Sequence, residues 1–204
     1  MDIFKEVNDM TRIYLAAIDV LPAAVVLIPV FLILHYTVYG RNLRKSILYC
    51  LFCLYLAAVF SLVGIPNVTY VRPDLNLNWI PFRGIVDDFK NSVLNILLFV
   101  PLGFFLPVLW GRFRRLSPAL LFGCGLSLMI ELLQLLTYRA TDVNDLITNV
   151  LGTGIGFLLA RPIAERFSIV SRGSKEPYVL CALSFCVMFF FHPFLSPFIW
   201  DRIL

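Results

Sequence analysis

The stretch SVLNILLFVPLGFFLPVLW, running from Ser92 to Trp110, decides how the rest of the chain is read. It carries no charged residue and approaches the roughly 20 helical residues needed to cross about 30 Å of hydrocarbon. A bilayer offers no water to exposed N–H and C=O groups, so a single segment of this kind must satisfy them within a helix. Working outward, similar apolar runs recur over Ala17 to Tyr39, Ser46 to Gly64, Ser117 to Thr137, Val143 to Ala160 and Tyr178 to Trp200. The expected fold is therefore all-α, a polytopic transmembrane helix bundle of about six spans. The run from Val143 is the most polar, with Asn144, Asp145, Thr148 and Asn149 in its first turns. A five-span alternative would leave it on the surface, but the preceding span is polar at the matching end, which favours burial between helices.

Composition agrees. Of 204 residues, 60% are hydrophobic and 15% charged, far more apolar than a soluble domain needs. The net charge of +4 is small and its basic residues sit in short clusters between apolar runs, which argues against nucleic acid as a partner. Those clusters, Arg41 with Arg44 and Lys45, Arg112 with Arg114 and Arg115, and Arg161 with Arg166, Arg172 and Lys175, occupy alternate loops. Basic loops face the cytoplasm, so the termini are expected outside, an N-out, C-out topology. The organisation that follows is residues 1–70 for an N-terminal amphipathic segment and two spans, 71–161 for a core of three spans, and 162–204 for a cytoplasmic loop and the last span. Ile3, Phe4, Val7, Met10, Ile13 and Tyr14 recur at helical spacing and predict an amphipathic helix on the outer surface. The opening residues lack a secretory cleavage pattern, so the first apolar run is expected to stay in the protein. Trp79, Trp110, Tyr138, Tyr178 and Trp200 fall at span ends, where amphipathic rings anchor. All five cysteines lie inside apolar runs and read as small buried hydrophobes. His35 and His192 stand without metal-ligand spacing and receive no role.

The informative residues are polar ones at a single depth. Glu131 lies six residues before the end of its span, about 9 Å inside at 1.5 Å per residue. A carboxylate in hydrocarbon costs at least roughly 2.5 kcal/mol and needs a partner, a proton or a wet cavity. Gln134 and Tyr138 share its helical face. On the next span Asp142, Asp145, Asn149, Gly152 and Gly156 form one stripe, acids at one end and glycines at the other, the latter suited to close helix approach. Asn91 and Asn95 contribute from the span before, which continues to Pro101 and Gly103. Arg139, in the short link between the two polar spans, can bridge carboxylates or take a phosphate bidentately. The bland reading is an interhelical clasp that locks register; for the outward-opening set as a whole, Asn95, Glu131, Gln134, Arg139, Asp142, Asp145 and Asn149, a binding site is favoured.

Several of these residues belong to longer motifs. Asn78-Trp79-Ile80-Pro81-Phe82, Asn95-Ile96-Leu97-Leu98-Phe99-Val100-Pro101-Leu102-Gly103, Glu131-Leu132-Leu133-Gln134, Ala140-Thr141-Asp142-Val143-Asn144-Asp145 and Thr148-Asn149, in that order, resemble the VanZ-like family over about Asn76 to Ala160. The resemblance implies a multi-pass protein of the bacterial cell membrane, associated with resistance to teicoplanin and related lipid-bearing glycopeptides. It implies no reaction, cofactor or metal. A nonenzymatic role is expected, in which the outward polar cavity holds a membrane lipid, a lipid-linked cell-wall intermediate or the antibiotic, with Arg139 taking the anion. The competing reading is an intramembrane enzyme or transporter using Glu131 or Asp145 to exchange protons; only Thr141 and Thr148 stand in the motifs as hydroxyl candidates, which disfavours catalysis. A divalent cation held by Asp142, Asp145, Glu131 and Asn149 is disfavoured by Arg139 beside them.

Overall fold

A computed structural model describes residues 9–71, 77–78, 89–137, 141–166 and 175–203. Six helices are long and apolar enough to cross a membrane: Asp19–Thr37, Leu43–Val63, Phe89–Leu109, Leu116–Gln134, Val143–Ala164 and Glu176–Ile199. The six expected spans are thus all present, including the polar one. Packing divides the chain into two units, residues 1–71 with 177–204, and residues 72–176.

The first unit holds α1 (Asp9–Thr37), α2 (Leu43–Val63) and nearly all of the last span, which runs as α6 (Glu176–Cys186), a π-helical stretch Val187–Phe191 and α7 (His192–Ile203). From Asp9 onward, the expected surface helix is continuous with the first span; Ile3, Phe4 and Val7 lie outside the described residues. Helix α2 is punctuated at both ends. Asn42 accepts the Lys45 N–H at 3.0 Å, and Gly64 takes the left-handed conformation (φ 65°) that frees its own N–H for the last carbonyls. The π stretch offers the Phe189 carbonyl to the Val68 N–H at 3.1 Å. Beside it, the Asp19 carboxylate accepts from the Ser61 hydroxyl at 2.9 Å, while His192 Nε2 stands 3.6 Å from its other oxygen. Side chains of three helices meet at one point.

The second unit holds β1 (Leu77–Asn78), α3 (Phe89–Leu109), a 3₁₀ turn Gly111–Arg114, α4 (Leu116–Gln134), β2 (Thr141–Asp142) and α5 (Val143–Arg166). Helix α5 packs between α3 and α4. Against α3 it presents glycine: a Cβ on Gly152 would overlap the Ile96 carbonyl, one on Gly156 the Val100 carbonyl, and one on Gly103 of α3 the Thr153 carbonyl. Backbone meets backbone there, the dispersion-driven contact that replaces hydrophobic burial between helices in lipid. Outward, large aliphatic side chains stay exposed, as hydrocarbon requires; Leu121 is 72% and Leu158 62% exposed.

Two expectations change. Trp110 is fully buried, its indole N–H donating to Glu176 at 3.2 Å, so it packs inside the unit instead of anchoring at the interface. Among the cysteines only Cys53 is buried, and Cys186 is exposed on the last span, consistent with a thiol facing lipid as readily as protein.

Candidate functional site

The face of α4 toward α5 repeats every four residues as Gly123, Ser127 and Glu131, with Gln134 completing it near the helix end. Helix α5 answers in reverse. Thr153 lies against Gly123, whose missing side chain makes room for the threonine, and Asn149 Nδ2 donates to Ser127 Oγ at 2.9 Å. Each step of four up α4 is matched by four back along α5, so the next step sets Glu131 level with Asp145. All of Ser127, Glu131, Gln134, Asn144, Thr148, Asn149 and Thr153 are buried, a polar seam between two membrane helices.

Its hydrogen bonding explains how helices tolerate such a seam. Thr148 and Thr153 return their hydroxyls to backbone carbonyls one turn earlier, Asn144 and Asn149 respectively, both at 3.0 Å. The Asn149 Oδ1 acceptor is buried without a hydrogen-bond partner among the described residues.

At its C-terminal end, α4 closes in a turn in which the Thr137 hydroxyl donates to the Gln134 carbonyl at 3.0 Å. The chain returns through β2, which pairs in parallel with β1, Leu77 opposite Thr141 and Asn78 opposite Asp142. This pairing pins the entry to α5. Asp142 then caps that helix: its Oδ1 accepts the Asn144 N–H at 2.8 Å, which puts the carboxylate at the positive end of the helix dipole. The Asp142 N–H in turn donates to Glu131 Oε2 at 3.2 Å. Glu131, only 5% exposed, is therefore held by the backbone that begins the next helix.

Placement of the expected residues is uneven. Glu131, Gln134, Asp142, Asp145 and Asn149 come together along the α4–α5 seam and its mouth. Asn95 lies on α3, part exposed, with no hydrogen bond to the seam among the described residues. Arg139 lies outside the described residues, as do Tyr138 and the Trp79-to-Phe82 motif. Asp142 serves as a helix cap. Among the described residues no three His, Cys, Asp or Glu side chains gather as a metal ion would need. Sequence reasoning missed Ser127, Thr153 and Gly123; the signal was the four-residue repeat on α4 that ends in Glu131. It also passed over Asp19 and His192.

Comparison with known proteins agrees with the motifs. Protein VanZ of Enterococcus faecium is 34% identical over 87 residues, which cover 41% of this chain and 52% of that protein, so the chain spans about half the length of the curated relative it matches. No solved structure matches. The VanZ/LLP1 family model matches residues 46–165, a region that takes in α2 through most of α5 and the whole polar seam, and the chain, a multi-pass membrane protein, belongs to that family.

Proposed function

We propose that this protein contributes to resistance against teicoplanin-type, lipid-bearing glycopeptides by binding, without chemistry, a polar headgroup at the mouth of the α4–α5 seam. The ligand is a membrane lipid, a lipid-linked cell-wall intermediate or the antibiotic itself. The observation that carries this reading is the buried Glu131 carboxylate, fastened to the Asp142 N–H that begins α5; the four-residue register of the seam sets Asp145 at the same level. Two carboxylates at one level favour a cationic partner, and the sequence between the two helices contains Arg139, a residue type that pairs with carboxylate or phosphate. By the distribution of basic residues this mouth faces outward.

Family membership supports the resistance phenotype, and expression in a susceptible Gram-positive host tests it. Teicoplanin's inhibitory concentration should rise more than vancomycin's; equal shifts would indicate general envelope stress, and no shift would remove the phenotype. The acids of the seam also favour a second reading, a transporter or intramembrane enzyme in which Glu131 or Asp145 exchanges a proton. Lipid extracts separate the two: an anionic lipid that co-purifies unchanged supports binding or transport, whereas a chemically altered lipid found only in expressing cells supports catalysis.

A further inference from the structure

The opposite end of the second unit contains a cavity of about 490 Å³ lined by Pro107, Leu116, Phe157, Leu158 and Ala164 together with Arg114, Arg115 and Arg161. Basic residues at this end set orientation, but orientation requires only that they lie in the loop; it does not require three arginines to line one concavity. Three cationic residues around one half-apolar recess give it a positive potential that attracts an anion.

The walls specify what kind of anion. Phe157 and Pro107 form a buried floor, whereas Leu158 and Leu116 are 62% and 43% exposed and continue the lipid-facing stripe that Leu151 and Ile155 carry along α5. A cavity polar at one side and open to hydrocarbon at the other suits an amphiphile. Its volume falls in the range of small-molecule sites, roughly 300–1,000 Å³, well beyond what a bare phosphate fills.

Two features preorganise the polar side. Arg114 closes the 3₁₀ turn, and its Nη2 donates to the Ala164 carbonyl on α5, which fixes the guanidinium against the wall. Arg115 is the extended residue that starts α4, and no side chain caps that helix. The first N–H groups of a 19-residue helix therefore open beside Leu116, adding their partial positive charge to the arginines. Basic recesses between membrane helices of this kind take phospholipid headgroups.

We propose that this cavity is a binding site for an anionic phospholipid, its phosphate held by Arg114, Arg115 and Arg161 and its acyl chain laid along Leu158 and Leu116. The site is independent of the one formed by Glu131 and does not depend on the resistance phenotype.

The test uses the purified full-length protein in neutral detergent, where orientation in a membrane no longer matters, and native mass spectrometry to count retained lipid. Dioleoyl phosphatidylglycerol should be retained in preference to dioleoyl phosphatidylcholine by about tenfold, and Arg115→Gln or Arg161→Gln should each weaken that retention about tenfold. Arg115 is exposed, so Arg115→Gln keeps the comparison on folded protein even if the others lose stability. Equal retention of the two lipids overturns the proposal, as does a preference that the glutamine variants leave intact. Inorganic phosphate at millimolar concentration should not displace phosphatidylglycerol. If it does, the occupant is a free phosphate and the lipid assignment falls.

Discussion

Glu131 accepts a hydrogen bond from the backbone N–H of Asp142 at 3.2 Å, so a buried side chain of one membrane helix holds the first residue before the next. A backbone donor can serve either protonation state of the carboxyl, and Glu131→Gln preserves an acceptor in the same place. Removing one member of a buried charge pair can cost about 3 to 5 kcal/mol, so activity and stability must be read together. We expect Glu131→Gln and Arg139→Gln each to abolish the proposed glycopeptide resistance while membrane abundance and melting temperature in detergent stay near the parent, and Gln134→Leu to have a milder effect. Loss of resistance only in proportion to loss of folded protein would reduce the cluster to a clasp.

The Ser127–Asn149 pair is expected to behave differently. It lies deeper in the seam, wholly enclosed, and joins α4 to α5. Ser127→Ala should lower stability by about 1–3 kcal/mol by stranding the Asn149 amide, and Asn149→Leu in that background should restore part of the loss. Denaturation in detergent micelles would measure the coupling; two additive effects would mean the pair does not interact.

Glycines of α4 and α5 are expected to divide sharply by position. Gly156→Ala drives a methyl into the Val100 carbonyl and should cost about 1–3 kcal/mol or more, because both sides of the contact are backbone and neither can rotate away. Gly125→Ala on α4 meets nothing within 4 Å and should be neutral or stabilising by up to about 1 kcal/mol through helix propensity. Melting curves of the two variants that coincide would contradict the close α3–α5 contact.

Orientation is open to a direct chemical check in a cysteine-free background. Asn76→Cys should react with an impermeant thiol reagent in intact cells, and Ser171→Cys should not. The reverse pattern would turn the polar seam toward the cytoplasm and end the reading of an extracellular ligand.

The spans were legible in the sequence because hydropathy over about 20 residues is a one-dimensional signal, and Glu131 was legible because a charge in such a run has few innocent explanations. The glycine half of the α5 stripe was legible for a related reason: Gly152 and Gly156 share one helical face. What could not be read was which neighbour each face meets. Gly123, Ser127 and Thr153 are small residues whose meaning comes only from α4 and α5 being set side by side. Asp19 and His192 come from opposite ends of the chain, and nothing local to either marks the other. Trp110 misled because an aromatic ring at a span end is normally interfacial, whereas here Glu176 offers its N–H an internal partner.

The π stretch at Val187–Phe191 bears on how this last span tolerates changes in length. A π turn absorbs one residue more than an α turn while leaving the helix on either side facing as before. A one-residue deletion inside it can therefore be taken up by relaxation to regular α-helix, with His192 still turned toward Asp19. The same deletion in the middle of α3 has no such slack: everything beyond it swings by about 100° around the axis, and Gly103 leaves the face that fits α5. Length variation among related chains is accordingly expected to collect in the last span and to be purged from α3.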